Sequence, residues 1–102
     1  MNSVPIEIMQ LGLDISDYIA IGTNVKRVLN MKENWDSILK RANSELPKKV
    51  LDISTKLPGV MAEDKEFFKE ANLNYANGVP VQGCFTVAVA DYLLRNRDKI
   101  RV

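Results

Sequence analysis

The chain has 102 residues, 46% apolar and 26% charged, with a net charge of +1. These proportions exclude an intrinsically disordered chain and allow one hydrophobic core, so one domain over residues 1–102 is expected. With no histidine and Cys84 as the only cysteine, an intramolecular disulfide and a structural zinc are also excluded.

At the N-terminus, Ser3 is placed to cap a short helix that carries Pro5 in its first turn, with Ile6, Met9 and Leu13 on one stripe. Val4, Ile6 and Ile8 also alternate with polar or small residues, as a short strand would, and Gly12 breaks either element. The first basic residue is Lys26, and Glu7, Asp14 and Asp17 interrupt the apolar run from Val4 to Val25. A secretory leader needs a positive start, and a bilayer crossing needs ~20 uninterrupted apolar residues, so neither is expected. Cytoplasmic location is the resulting expectation.

Asp14 or Ser16 suits the N-cap of a second helix, whose apolar positions Ile15, Tyr18, Ile19, Gly22, Val25 and Leu29 recur at helical spacing. Ile21 and Val28 widen this stripe, which predicts contact on two sides and a central place in the bundle. Met31, Trp35, Ile38, Leu39 and Ala42 define a third helix after a break near Asn30, with Asn30 or Asn34 as its cap. Ser44, Leu46 and Pro47 mark the start of a fourth, carrying Leu46, Val50, Ile53 and Leu57, and Pro58-Gly59 is the expected stop. A fifth opens on Glu63, Asp64 and Glu66, has Met61, Phe68, Ala71 and Tyr75 on one face, and ends at Asn77-Gly78.

From Ala71 to Ala90 there is no charged residue at all. Pro80 is placed to open the last helix, where Val81, Cys84, Phe85, Ala88, Val89, Tyr92 and Leu93 follow an amphipathic repeat. Val87, Ala90 and Leu94 lie off that stripe, so the helix is apolar nearly all round until Arg95 and belongs in the core or an interface. The alternative is a buried strand near 84–90, since Thr86, Val87 and Val89 are β-branched, which would make the fold α+β. The favoured class is an all-α bundle of four to six short helices, with Trp35, Phe68, Phe85, Ile19 and Leu39 in its core.

The motifs that would carry chemistry do not assemble. Gly78 and Gly83 have the spacing of a phosphate-binding loop, but Cys84-Phe85 stands where that loop needs Lys-Ser or Lys-Thr. Two carboxylate pairs, Glu63/Asp64 and Glu66/Glu70, are interleaved with Lys65 and Lys69, the pattern of a solvated helix face. Cys84 sits in an uncharged apolar setting that favours packing over thiolate chemistry. Without an imidazole base, no catalytic residue, cofactor or metal ligand is assigned. Asp91 stands apart as the one charge in an apolar helix, and a buried carboxylate there needs a partner such as Arg95 one turn on.

These observations favour a non-enzymatic interaction or assembly module, an adaptor that binds a protein partner or a second copy of itself. Its expected docking surface joins Val87, Ala90 and Leu94 to the basic tail residues Arg95, Arg97 and Arg101, an apolar centre with a charged rim. The alternative is an accessory nucleic-acid binder that uses Lys26/Arg27, Lys40/Arg41 and Lys48/Lys49 as phosphate contacts. The near-neutral total charge speaks against it.

Overall fold

A computed structural model describes residues 4–29, 31, 34–64 and 81–101. Among these residues are five α-helices and no strand: α1 (Ile6–Gln10), α2 (Ile15–Leu29), α3 (Trp35–Glu45), α4 (Lys48–Glu63) and α5 (Val81–Arg95), then a 3-10 turn at Arg97–Lys99. The fold is all-α, and helix occupies both segments that had a strand alternative. The expected elements at Ser3, at Asn30, and from Lys65 through Phe68, Tyr75 and Gly78 to Pro80 lie outside the described residues, as do the side chains of Val81 and Cys84.

Helix α1 follows Pro5, whose ψ of 147° leaves it just outside the helix, and no side chain caps it. Ile8 is buried, together with Leu11 and Leu13 in the turn that follows, while Ile6 and Met9 are exposed. The predicted stripe of Ile6, Met9 and Leu13 is therefore corrected. A helix this short has little more than one turn, so the path of the chain after it decides which side is covered. That path depends on Gly12, whose φ of 78° puts it in the left-handed region. The C-terminal segment crosses closely here: Arg101 N–H donates to Leu11 O at 3.0 Å.

At the start of α2, Asp14 and Asp17 form a reciprocal capping box. Asp17 N–H donates to Asp14 Oδ1 at 3.0 Å, and Asp14 N–H donates to Asp17 Oδ2 at 3.1 Å. Asp14, not Ser16, is thus the cap. The buried face carries Tyr18, Ile21, Val25 and Val28, at steps of three and four. Ile19, expected in the core, is 48% exposed, and Ile15 is exposed as well. Both sets of residues satisfy helical spacing, and contact with α5 selects the first.

Helix α2 ends at Leu29 and α3 starts at Trp35, the break predicted near Asn30. Trp35 Nε1–H donates to Val28 O at 3.2 Å and ties the two helices together. Trp35 and Leu39 are half-buried against the core, with Ile38 and Ala42 fully inside. Helix α4 begins after Pro47 and buries Val50, Ile53 and Leu57 as their spacing predicts, with Leu46 just ahead of it.

Pro58-Gly59 does not end α4, which continues to Glu63. Proline removes one backbone hydrogen bond, but Ile53 and Leu57 before it and Met61 after it are all buried. Tertiary packing on both sides of Pro58 holds the helix through the defect.

Helix α5 packs against α2, α3 and α4. It, rather than α2, is the centre of the bundle, and this is why it has no polar side to spare. Phe85, Val87, Ala88, Val89, Ala90, Tyr92, Leu93 and Leu94 are all buried.

Candidate functional site

The most polar construction in the interior surrounds Asp91, on α5. Its side chain is 5% exposed, and Arg27, Arg41 and Arg95 all approach it. Arg27 Nη2 donates to Asp91 Oδ2, Arg95 Nε lies 3.3 Å from the same oxygen, and Arg41 Nη2 lies 3.9 Å from Oδ1. Asn24 Nδ2 donates to Asp91 Oδ2 at 3.2 Å and to Ala88 O at 2.6 Å. Arg27 is itself fixed by Nε donating to Asn24 Oδ1 at 3.0 Å and Nη1 donating to Met31 Sδ at 2.8 Å. Three elements therefore meet at one carboxylate: α2 supplies Asn24 and Arg27, α3 supplies Arg41, and α5 supplies Arg95.

The predicted pair of Asp91 with Arg95 is present, but it is one part of this larger set. Arg27, Arg41 and Asn24 were not assigned to it from sequence. A polar Asn24 beside the apolar stripe of α2 is the signal that a second buried polar group must face it.

Beside the cluster runs an open cleft of about 490 Å³ between α2 and the end of α5. Its walls are Ala20, Thr23, Asn24 and Arg27 on one side and Tyr92, Arg95 and Asn96 on the other. The two hydroxyls here already act as donors. Thr23 Oγ1 donates to Ile19 O at 3.4 Å, and Tyr92 OH donates to Asp17 Oδ1 at 2.6 Å. Burial and the neighbouring Asp17 carboxylate raise the Tyr92 phenol well above its ordinary value, so it stays protonated. The same hydrogen bond from Tyr92 holds Asp17 below the usual carboxylate range, assisted by the Asp14 backbone N–H and by Lys99. Both hydroxyls are thus engaged within the chain.

Val87, Ala90 and Leu94, the expected apolar centre of a docking surface, are 2%, 2% and 3% exposed. The surrounding helices bury these three side chains within one chain. The basic residues remain exposed, but they reach different parts of the fold. Arg95 pairs with Asp91, Arg97 Nη1 lies 3.0 Å from Glu45 Oε1, and Arg101 crosses the turn at Leu11 and Gly12. Of the candidate phosphate contacts, Arg27 and Arg41 belong to the Asp91 cluster, whereas Lys26, Lys40, Lys48 and Lys49 are exposed.

Among the described residues no helix is long and apolar enough to cross a membrane, and no group of three or more His, Cys, Asp or Glu side chains is placed to hold a metal. Glu63 is exposed, and Asp64 accepts from Tyr18 OH at 3.2 Å, so this pair is split between solvent and a structural contact. Comparison with protein-family models, curated proteins and solved structures finds no match.

Proposed function

We propose that this chain is a small, non-enzymatic interaction and assembly module of the cytoplasm that docks through the outward face of α2. The observation that carries this reading is the layout of that face. Ile15 and Ile19 are exposed, Asp14 lies at its N-terminal end, and Thr23 and Lys26 lie towards its C-terminal end. Apolar side chains left in water between opposite charges are the ingredients of an interface. A second copy laid antiparallel across α2 would cover Ile15 and Ile19 of both copies with one self-complementary face. Self-association is therefore the form of assembly proposed.

Light scattering over a range of protein concentrations tests it. A dimer is expected, with Ile19→Asp converting it to a folded monomer, since Ile19 makes no contribution to the buried core. A wild-type protein that stays monomeric at high concentration refutes self-association, as does a dimer that Ile19→Asp leaves intact.

Nucleic-acid binding is supported by a different observation: Lys40, Lys48 and Lys49 are exposed on α3 and α4 and form no ion pair among the described residues. Phosphate contacts of that kind weaken steeply as salt rises, whereas an apolar helix face responds little. A salt titration of any complex separates the two readings.

A further inference from the structure

We infer that the cleft between α2 and the end of α5 is a binding site for a phosphate monoester, held by Arg95 and Arg27. This goes beyond the docking face of α2 and does not depend on it.

Charge is the first argument. Arg27, Arg41 and Arg95 surround a single buried carboxylate, Asp91, so the cluster carries two positive charges more than it balances. Asp17, the carboxylate bonded to Tyr92 of the cleft wall, is offset by Lys99, whose Nζ lies 3.5 Å away. A phosphate monoester brings close to two negative charges at neutral pH; it would meet Arg27 and Arg95 in the cleft, while Arg41 acts on it only through the field of the cluster, since it does not line the cleft.

Unspent donors are the second. A guanidinium has five N–H groups. Arg27 uses one each towards Asn24, Met31 and Asp91, which leaves one N–H on each terminal nitrogen. Arg95 meets Asp91 through Nε, it is 58% exposed, and its terminal nitrogens meet no carboxylate among the described residues. Asp91 thus holds Arg27 through Nη2 and pairs with Arg95 at Nε, and the remaining N–H groups on the cleft side are left for a ligand.

The third is what happens at the end of α5, where bare carbonyls would repel an anion. Asn96 N–H donates to both Tyr92 O and Leu93 O, Asn96 Nδ2 donates to Tyr92 O at 2.9 Å, and Arg97 Nη1 donates to Leu94 O at 3.1 Å. Those carbonyls are covered. The cleft's volume exceeds that of the phosphate alone and accommodates the group to which it is esterified.

The test is a titration of the full chain at constant ionic strength, followed by thermal melting and by the NMR signals of the arginine side chains. The probes are inorganic phosphate, phenyl phosphate and a short phosphoserine peptide, with acetate and chloride as controls. Saturable binding is expected, with a melting temperature raised by on the order of 5–10 °C at tenfold the Kd. Arg95→Gln is expected to weaken it by about tenfold or more, as loss of a charge-assisted hydrogen bond does. Lys48→Gln, which removes a cation of α4 away from the cleft, is expected to leave it unchanged. Tighter binding of phenyl phosphate assigns the site to a small-molecule ester, and tighter binding of the peptide assigns it to a phosphorylated protein. The inference is overturned if no phosphate probe acts beyond chloride, if acetate binds equally well, or if Lys48→Gln weakens binding as much as Arg95→Gln. Arg95 reaches solvent and Asp91 keeps two other arginines, so this variant folds and the comparison stays readable.

Discussion

Asp91 is where the interior of this protein is most sensitive to a single change. Burying a carboxylate is costly, and the cost is met by the guanidinium of Arg27 and the Asn24 amide, with Arg41 and Arg95 at longer range. Replacing it with asparagine keeps the shape but leaves the arginines without their counterion. Because those arginines reach water, the loss falls below that of a fully buried pair, and Asp91→Asn is expected to destabilise by about 2–3 kcal/mol. Urea unfolding measures this, and a change below about 0.5 kcal/mol, the range of neutral surface substitutions, would show that the cluster is not structural. Sequence made Asp91 conspicuous because nothing else near it is charged, and it offered Arg95 because one helical turn is a local distance. Arg27 and Arg41 were hidden because their approach depends on how α2 and α3 cross α5, which no local pattern encodes.

At the scale of elements, the amphipathic pattern located α2, α3, α4 and α5, and turn residues misplaced one boundary. Pro58-Gly59 reads as a stop when taken alone, yet both residues sit inside α4. Their consequences differ from those of Gly12. Gly59 is exposed, and a Cβ built on it meets nothing within 4 Å. Gly59→Ala is accordingly expected to stabilise the protein by about 0.5–1 kcal/mol, since alanine loses less backbone entropy in a helix. Gly12→Ala carries the opposite sign, because φ there is 78° and the new Cβ would lie 3.2 Å from Arg101 Cβ. A loss of about 1–2 kcal/mol is expected for the left-handed backbone alone. Thermal or urea denaturation of the two variants checks both signs, and a destabilising Gly59→Ala would argue against a continuous α4. The face that α1 and α2 bury was not legible, because Ile6 and Ile8, or Ile19 and Ile21, fit helical spacing equally well until a neighbour chooses between them.

For the molecule as a whole, the uncharged C-terminal helix was the feature most informative in the sequence, and it had two possible uses. An apolar helix with no polar side is either surrounded by its own chain or covered by another. Contacts of α5 with α2, α3 and α4 select the first, and they place Val87, Ala90 and Leu94 in the interior rather than on a docking surface. Composition could not make that choice, since the same side chains satisfy either packing. Among the described residues, the large apolar side chains left exposed are instead Ile6, Met9, Ile15 and Ile19, near the N-terminus, where the sequence suggested apolar stripes. Native-state amide hydrogen exchange at Val87, Ala88, Val89 and Ala90, in protein dilute enough to be monomeric, tests this architecture most directly. If α5 is the centre of the bundle, these amides exchange only through global unfolding, with a free energy equal to that from urea denaturation. Exchange through local opening, at a lower free energy than the amides of α3 or α4, would contradict the account.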